Sequence, residues 1–216
     1  MNRTIITLYT FTLSILACYS TQAQDAKATE ILNALSKKMQ SYSSYRAGFS
    51  LNIKAENEKL DETTKGTITI KGNKFLLQTA EQDIYNDHKT VWTHAKADKE
   101  VTITNNDPSD PEMNPASIYT LYKKGFKSLF IESKTVGSSK MDVVDLTPDN
   151  KGLEYFKIRM TIDSQTKQLK SWQIFNKNGR KYLFTITKFE PNVAADDALF
   201  KYNAAANKGV EVVDLR

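Results

Sequence analysis

The stretch GTITIKGNKFLL, residues 66–77, decides the fold of this chain. Its isoleucines alternate with threonine and lysine, and the alternation resumes at Phe75 beyond the pair Gly72-Asn73. A period of two is typical of a strand that buries one face, and a Gly-Asn pair favours a tight turn. The stretch therefore predicts a β-hairpin whose apolar side chains lie on one side.

The same alternation recurs on both sides of this hairpin and predicts further short strands. They are expected at residues 49–54, 91–93, 101–104, 128–133, 141–147, 155–163, 169–176, 180–190 and 210–213. Asn178-Gly179 is a second hairpin turn, since both residues tolerate a positive φ.

Helices and a loop interrupt the strands. Residues 25–41 predict an amphipathic helix, because Ile31, Leu32, Leu35 and Met39 form one stripe. Residues 105–115 contain three prolines and predict a loop. A short helix is expected at 116–124, ended by Gly125, and a helical turn at 194–198. The apolar face of the helix at 116–124 consists of Ile118, Leu121 and Tyr122.

About ten short strands joined by hairpins favour one large antiparallel sheet and argue against a doubly wound α/β fold. A sheet of this width curls strongly or closes on itself. The predicted fold class is therefore mainly β (α+β), with a few helices. The length suits a single domain over residues 24–216.

The first 23 residues predict export. Arg3 is followed by an apolar stretch too short to span a bilayer, and Thr21-Gln22-Ala23 ends in the small residue that a signal peptidase requires. Cys18 closes a lipobox-like sequence, so lipidation at Cys18 is the alternative. Cleavage after Ala23 would leave a soluble mature chain without cysteine, because Cys18 is the only one.

The charge and the titratable residues exclude several classes of protein. The formal net charge is +5, or +4 without the leader, and scattered lysines do not favour nucleic-acid binding. His88 and His94 do not match a common zinc pattern, so no metal is expected. The carboxylate pairs Asp142/Asp145 and Asp196/Asp197 could serve as acid and base, but they lie in polar stretches where such residues are ordinarily solvated. No catalytic residue and no cofactor are predicted.

Several blocks, in order along the chain, resemble the LolA family of periplasmic outer-membrane lipoprotein carriers. They are YRAGFS (45–50), GTITIK (66–71) followed by KF (74–75), IYNDHKTVW (84–92), NPA (114–116), DLTP (145–148), FKIRMTID (156–163), LFKY (199–202) and KGVEV (208–212). The chain departs from the family pattern in three places. His88 replaces the usual glycine, Gly72-Asn73 stands where members often have Arg-Pro, and residues 203–207 replace Thr-Pro-Pro.

The resemblance implies an incomplete β-barrel whose concave face is covered by lid helices and binds the acyl chains of lipoproteins. It implies a monomer that receives acylated lipoproteins from an inner-membrane ABC transporter, carries them through the periplasm and delivers them to the outer membrane, with an outer-membrane acceptor as an optional partner. It leaves open the identity of the cargo and how the lid closes without the usual arginine.

The expected cavity wall and lid follow from combining this resemblance with the strand alternation. The wall is predicted to contain Phe49, Leu51, Ile53, Ile68, Ile70, Phe75, Leu77, Trp92, Ile158, Met160, Ile162, Trp172 and Ile174. The lid is predicted to contain Ile118, Leu121 and Tyr122. For each residue the alternative is an ordinary packed core position.

Two other functions stay open at this stage. A lipid- or glycolipid-binding or lipoprotein-sensing domain would share the scaffold and bind a different ligand. A hydrolase acting at the cavity mouth would depend on a histidine or an aspartate pair.

Overall fold

The computed structural model describes residues 25–107 and 118–216. The predicted leader, Cys18 and most of the proline-rich loop lie outside the described residues. The described chain begins with helix α1 over residues 25–40 and continues mainly as β-structure. The strands are β1 Tyr45–Ala55, β2 Leu60–Lys71, β3 Lys74–Thr79, β4 Gln82–Asn86, β5 Thr90–Ala95, β6 Glu100–Asn105, β7 Phe126–Val136, β8 Ser139–Pro148, β9 Tyr155–Asp163, β10 Leu169–Asn176, β11 Lys181–Pro191 and β12 Glu211–Asp214.

All of these strands belong to one twelve-stranded sheet, in the order β12-β6-β5-β4-β3-β2-β1-β11-β10-β9-β8-β7. The sheet is curved and open, with β12 and β7 as its edges. The predicted mainly β fold with one large antiparallel sheet is confirmed. One pairing differs, because β12 runs parallel to β6.

The hairpin that decided the fold is present. Lys71 pairs with Lys74 across a two-residue turn, and Gly72 has a φ of 59°. Positive φ is the conformation that glycine adopts at little steric cost, which explains the residue choice. Strand β4 is an addition to the predicted set, since its residues QDIYN show no clear alternation.

The helix predicted at 116–124 differs from the observed structure. Among its described residues, 118–119 and Leu121–Lys123 form short 3₁₀ turns. Gly125, with a φ of 79°, ends this segment, and β7 begins at Phe126. A segment this short, ended by a glycine, forms too few hydrogen bonds to offset the unfavourable nucleation of an α-helix. A 3₁₀ turn needs only three or four residues.

The main core lies on the concave face of the sheet. The apolar stripe of α1 is buried and belongs to the same cluster as residues from β1, β2, β8 and β9. Burying each such aliphatic side chain contributes about 1.5–3 kcal/mol. At the start of α1 the Lys27 ammonium lies 3.6 Å from the centre of the Phe130 ring on β7. At its other end Tyr42 packs on Phe189 of β11.

The convex face carries a second, smaller apolar cluster. Leu76, Val101 and Phe200 are all buried there, and Phe200 belongs to the 3₁₀ turn Asp197–Phe200. Asp197 accepts hydrogen bonds from Lys71 at 3.0 Å and Lys74 at 2.7 Å. These two contacts lower the pKa of the Asp197 carboxyl to about 2. The segment after β11 is thereby held on the back of the sheet.

Among the described residues, no helix has the length and apolar character needed to cross a membrane.

Candidate functional site

A cavity of about 610 Å³ lies on the concave face, where β1 meets β2 and β11. Twelve of its sixteen lining residues are apolar or aromatic. They are Tyr45, Ala47, Phe49, Leu51, Ile68, Ile70, Leu77, Ile84, Tyr119, Trp172, Phe184 and Ile186, and the polar ones are Thr64, Thr79, Glu81 and Gln82. A volume of this size and a mostly apolar lining are typical of a small-molecule site.

Strand alternation and register bring these side chains together. Ala47 pairs with Ile68, and Ile68 pairs with Leu77, so the three share one side of the sheet. Along its other edge β1 pairs with β11, and there Leu51 lies opposite Phe184. The cavity is therefore built mainly from cross-strand neighbours, and Glu81 and Tyr119 are added from turns.

Phe49 is placed by the glycine opposite it. A Cβ at Gly66 would lie 2.7 Å from Cζ of Phe49 and 2.5 Å from the carbonyl oxygen of Gln78. A Cβ at this position would overlap the Phe49 ring, so glycine leaves the space that the ring occupies. The glycine that opens the predicted hairpin stretch thus shapes the cavity wall.

An aromatic pair forms the opposite wall. The rings of Trp172 on β10 and Phe184 on β11 stack with their centres 4.6 Å apart and their planes at 4°. Both side chains are half-buried. Their exposed area gives an apolar ligand a flat surface.

Tyr45 and Tyr119 close one end of the cavity. They are 6% and 8% exposed, and their rings meet edge to face with centres 6.2 Å apart. Their hydroxyl groups are hydrogen-bonded to each other. Burial raises the pKa of Tyr119 to about 12. The pKa of Tyr45 is also raised, first by burial and second by its interaction with Tyr119. Both hydroxyls therefore stay neutral at physiological pH.

The opposite end of the cavity is polar. Thr79, Glu81 and Gln82 lie around the turn between β3 and β4. The Thr79 hydroxyl accepts the backbone N–H groups of both Glu81 and Gln82. Lys96 donates to the Thr79 carbonyl oxygen at 2.6 Å and pairs with Asp83 at 2.8 Å.

Apart from Trp92, the predicted wall residues divide into three groups. The first two overlap, because Phe49, Ile68 and Ile70 line the cavity and also belong to the core cluster. The cavity is lined by six of them: Phe49, Leu51, Ile68, Ile70, Leu77 and Trp172. The core cluster with α1 contains Phe75, Ile158, Met160 and Ile162, of which the last three are 2%, 0% and 0% exposed, and Ile174 packs against it. Ile53 is half-buried near the far end of β1.

Trp92 lies on the other face of the sheet. It pairs with Tyr85, which pairs with Leu76, and Leu76 belongs to the convex cluster. The predicted lid residues all contact the main core. Ile118 is buried in it, and Leu121 and Tyr122 pack against it. The Tyr122 hydroxyl donates to Asn33 of α1 at 2.8 Å.

Several lining residues were not predicted. They are Tyr45, Ala47, Ile84, Tyr119, Phe184, Ile186 and the four polar ones. For Phe184 and Ile186 the signal was present, because they alternate along a predicted strand whose inward face was not assigned. For Tyr119 it was absent, because the residue belongs to a turn without periodicity.

The candidate catalytic groups are dispersed. Asp142 accepts from the Ser133 hydroxyl at 2.6 Å, and Asp145 accepts two hydrogen bonds from Arg159. Asp196 caps the turn at Ala198, while Asp197 pairs with lysines. Among the described residues, no group of three or more His, Cys, Asp or Glu side chains could hold a metal ion.

A wide, open, antiparallel sheet with an apolar cavity on its concave face defines a protein that binds an apolar ligand. The family model described as outer membrane lipoprotein carrier protein LolA matches residues 19–179, and the chain belongs to this family. The blocks quoted from residues 199–212 lie beyond the matched range. None of the curated proteins compared with the chain matches it.

The chain is similar to several solved structures at low sequence identity. An uncharacterized conserved protein from Thermus thermophilus is 11% identical, with 87% of this chain and 99% of that chain covered, at a TM-score of 0.58. A LolA superfamily protein from Nitrosomonas europaea is 10% identical, with 81% and 97% covered, at a TM-score of 0.45. The lipoprotein LppX of Mycobacterium tuberculosis is 9% identical, with 80% and 100% covered, at 0.47.

Proposed function

We propose that this protein is a periplasmic carrier that binds the acyl chains of lipoproteins released from the inner membrane and delivers them to the outer membrane. The observation that carries the proposal is the apolar cavity of about 610 Å³, in a chain that belongs to the LolA family. The predicted leader at residues 1–23 accounts for its presence in the periplasm.

The need for such a carrier follows from the chemistry of the cargo. Each methylene transferred from water is worth about 0.8 kcal/mol, so a 16-carbon chain in water costs roughly 12 kcal/mol. Within the part of the chain that the structure describes, the cavity is partly open to solvent. It recovers only part of the transfer energy, which permits release without a chemical step.

The proposed partners are acylated lipoproteins, an inner-membrane ABC transporter that supplies them, and an acceptor at the outer membrane. We expect no catalysis and no cofactor. This expectation is supported by the aspartates of both candidate pairs, each of which already holds a hydrogen bond or ion pair within the fold.

A release assay tests the proposal. The full chain with a C-terminal tag is purified from the periplasmic fraction, added to spheroplasts, and recovered for native mass spectrometry. A one-to-one complex with an acylated lipoprotein is the expected result. Recovery of the protein with only phospholipid or glycolipid would refute lipoprotein transport and favour a lipid-binding role on the same scaffold.

A further inference from the structure

A second cavity of about 490 Å³ adjoins the apolar one. Both cavities are lined by Tyr45, Ile70 and Tyr119, so these three residues form the boundary between them. The second cavity is more polar than the first, and its polar wall includes Gln40, Ser43, Ser44, Asn73, His88 and Asn106.

The described residues that line the second cavity carry no carboxylate, lysine or arginine. Amides, hydroxyls and one imidazole suit an uncharged polar group better than a phosphate, which is usually bound by arginine, lysine or a helix N-terminus. Tyrosines suit the boundary, because each has an apolar ring and a polar hydroxyl. The two cavities together match an amphiphile with an uncharged polar part.

His88 provides an independent indication of a ligand. Its φ is 80°, in a turn where its N–H donates to Asn86 and its carbonyl accepts from Asn106. These backbone contacts do not require a histidine, and glycine would adopt this φ without strain. The imidazole forms no hydrogen bond or ion pair with another described residue. His88 is exposed at the rim of the second cavity, so its imidazole is available as a hydrogen-bond partner for a ligand.

We infer that the second cavity holds the uncharged polar linkage of an acylated ligand, namely the ester and glyceryl groups next to its acyl chains, with His88 and Asn73 as hydrogen-bond partners. The inference rests on the proposed function, since it assumes that acyl chains occupy the apolar cavity. It places the polar part of the ligand beyond Tyr45 and Tyr119. The opposite end of the apolar cavity is less suitable, because the Thr79 hydroxyl is already engaged and Glu81 is charged.

The test compares three probes by displacement of a fluorescent fatty acid: a dipalmitoyl-glyceryl-cysteine lipopeptide, palmitate, and dipalmitoyl phosphatidylglycerol. The variants of the full chain are His88→Gly, His88→Asn, Glu81→Gln as a probe of the opposite end of the apolar cavity, and Lys99→Gly as a control. Glycine removes the imidazole and relieves the positive φ, so loss of folding does not explain its effect. Asparagine tolerates positive φ and restores a polar group.

We expect His88→Gly to weaken lipopeptide binding about fivefold, the effect of one lost hydrogen bond, with palmitate binding unchanged. His88→Asn should recover part of the affinity. Lys99→Gly, which relieves a positive φ at an exposed residue outside both cavities, should leave the affinity unchanged. An equal loss with phosphatidylglycerol supports the site and makes a free phospholipid its source, whereas a loss confined to the lipopeptide makes a lipoprotein its source.

Unchanged lipopeptide affinity in His88→Gly would overturn the inference while leaving acyl-chain binding intact. A loss in Glu81→Gln alone would place the polar linkage at the other end of the cavity and overturn it too. Failure of the unmodified protein to bind palmitate or the lipopeptide would refute the proposed function and, with it, the site.

Discussion

Leu76 and Leu77 are adjacent on β3 and point to opposite faces, which makes them a matched pair for separating binding from stability. Leu77 is half-buried and lines the apolar cavity, whereas Leu76 is 5% exposed in the convex cluster. The same substitution, leucine to alanine, removes the same three carbons from each. Only the place of those carbons in the fold differs.

The magnitudes follow from these surroundings. In Leu77→Ala a bound acyl chain loses contacts worth about 2 kcal/mol, so affinity for a fluorescent 16-carbon fatty acid should fall roughly 30-fold. The free energy of unfolding should fall by only about 1 kcal/mol, since the side chain already borders a space. In Leu76→Ala, by contrast, a packed position becomes a cavity at a cost of about 2–5 kcal/mol.

The assay combines chemical denaturation with fatty-acid titration of both variants under conditions where each is folded. Leu77→Ala should lose affinity and keep most of its stability, and Leu76→Ala should do the reverse. The reasoning would be refuted by equal destabilisation of the two variants together with unchanged affinity in Leu77→Ala. That outcome would make Leu77 an ordinary core residue.

Three further predictions concern the same face of the sheet. Gly66→Ala should lower the free energy of unfolding by about 1–3 kcal/mol in urea denaturation, because its Cβ would overlap the Phe49 ring. Gly72→Ala is the control for backbone strain alone, since no atom lies within 4 Å of a Cβ there. Unchanged stability in Gly66→Ala would contradict the close approach. The pKa of Tyr119 is about 12 in the folded protein and about 10 in an unfolded chain. The stabilising contribution of this difference is complete below pH 10 and is lost as the pH rises through 12. Alkaline unfolding should therefore depend less on pH in Tyr119→Phe, and identical profiles would argue against a buried hydroxyl. In Trp92→Phe the remaining Trp172 should report fatty-acid binding by a change in fluorescence, and a silent titration alongside measured binding would place the ligand elsewhere.

The strands could be predicted from the sequence because alternation and turn residues are local features. Strands β9 and β10 lie at the predicted bounds, and both hairpin turns sit at the predicted glycines. Alternation specifies two faces but not which one meets the core. At Trp92 both faces of the sheet carry apolar residues, so the pattern could not assign the side.

The cavity was predictable only in part for a related reason. Met160 and Trp172 are cross-strand neighbours on one face, yet Met160 is fully buried in the cluster with α1 and Trp172 borders the cavity. The difference depends on how far α1 extends across the sheet. That distance depends on tertiary packing. The pattern in residues 25–41 predicts the helix but not where the helix lies on the sheet.

The pairing of β1 with β11 has a consequence for the order in which the protein folds. Strands β2 to β6 and β7 to β11 are each joined in chain order by neighbouring pairings, whereas β1 must find residues 181–191 at the other end of the chain. Closing such a long loop is slow relative to forming a hairpin. The apolar cavity straddles this pairing, with Phe49 on one side and Phe184 on the other. A chain interrupted before β11 therefore has no complete lipid site, and the ability to take up an acyl chain arises only once this long-range pairing has formed.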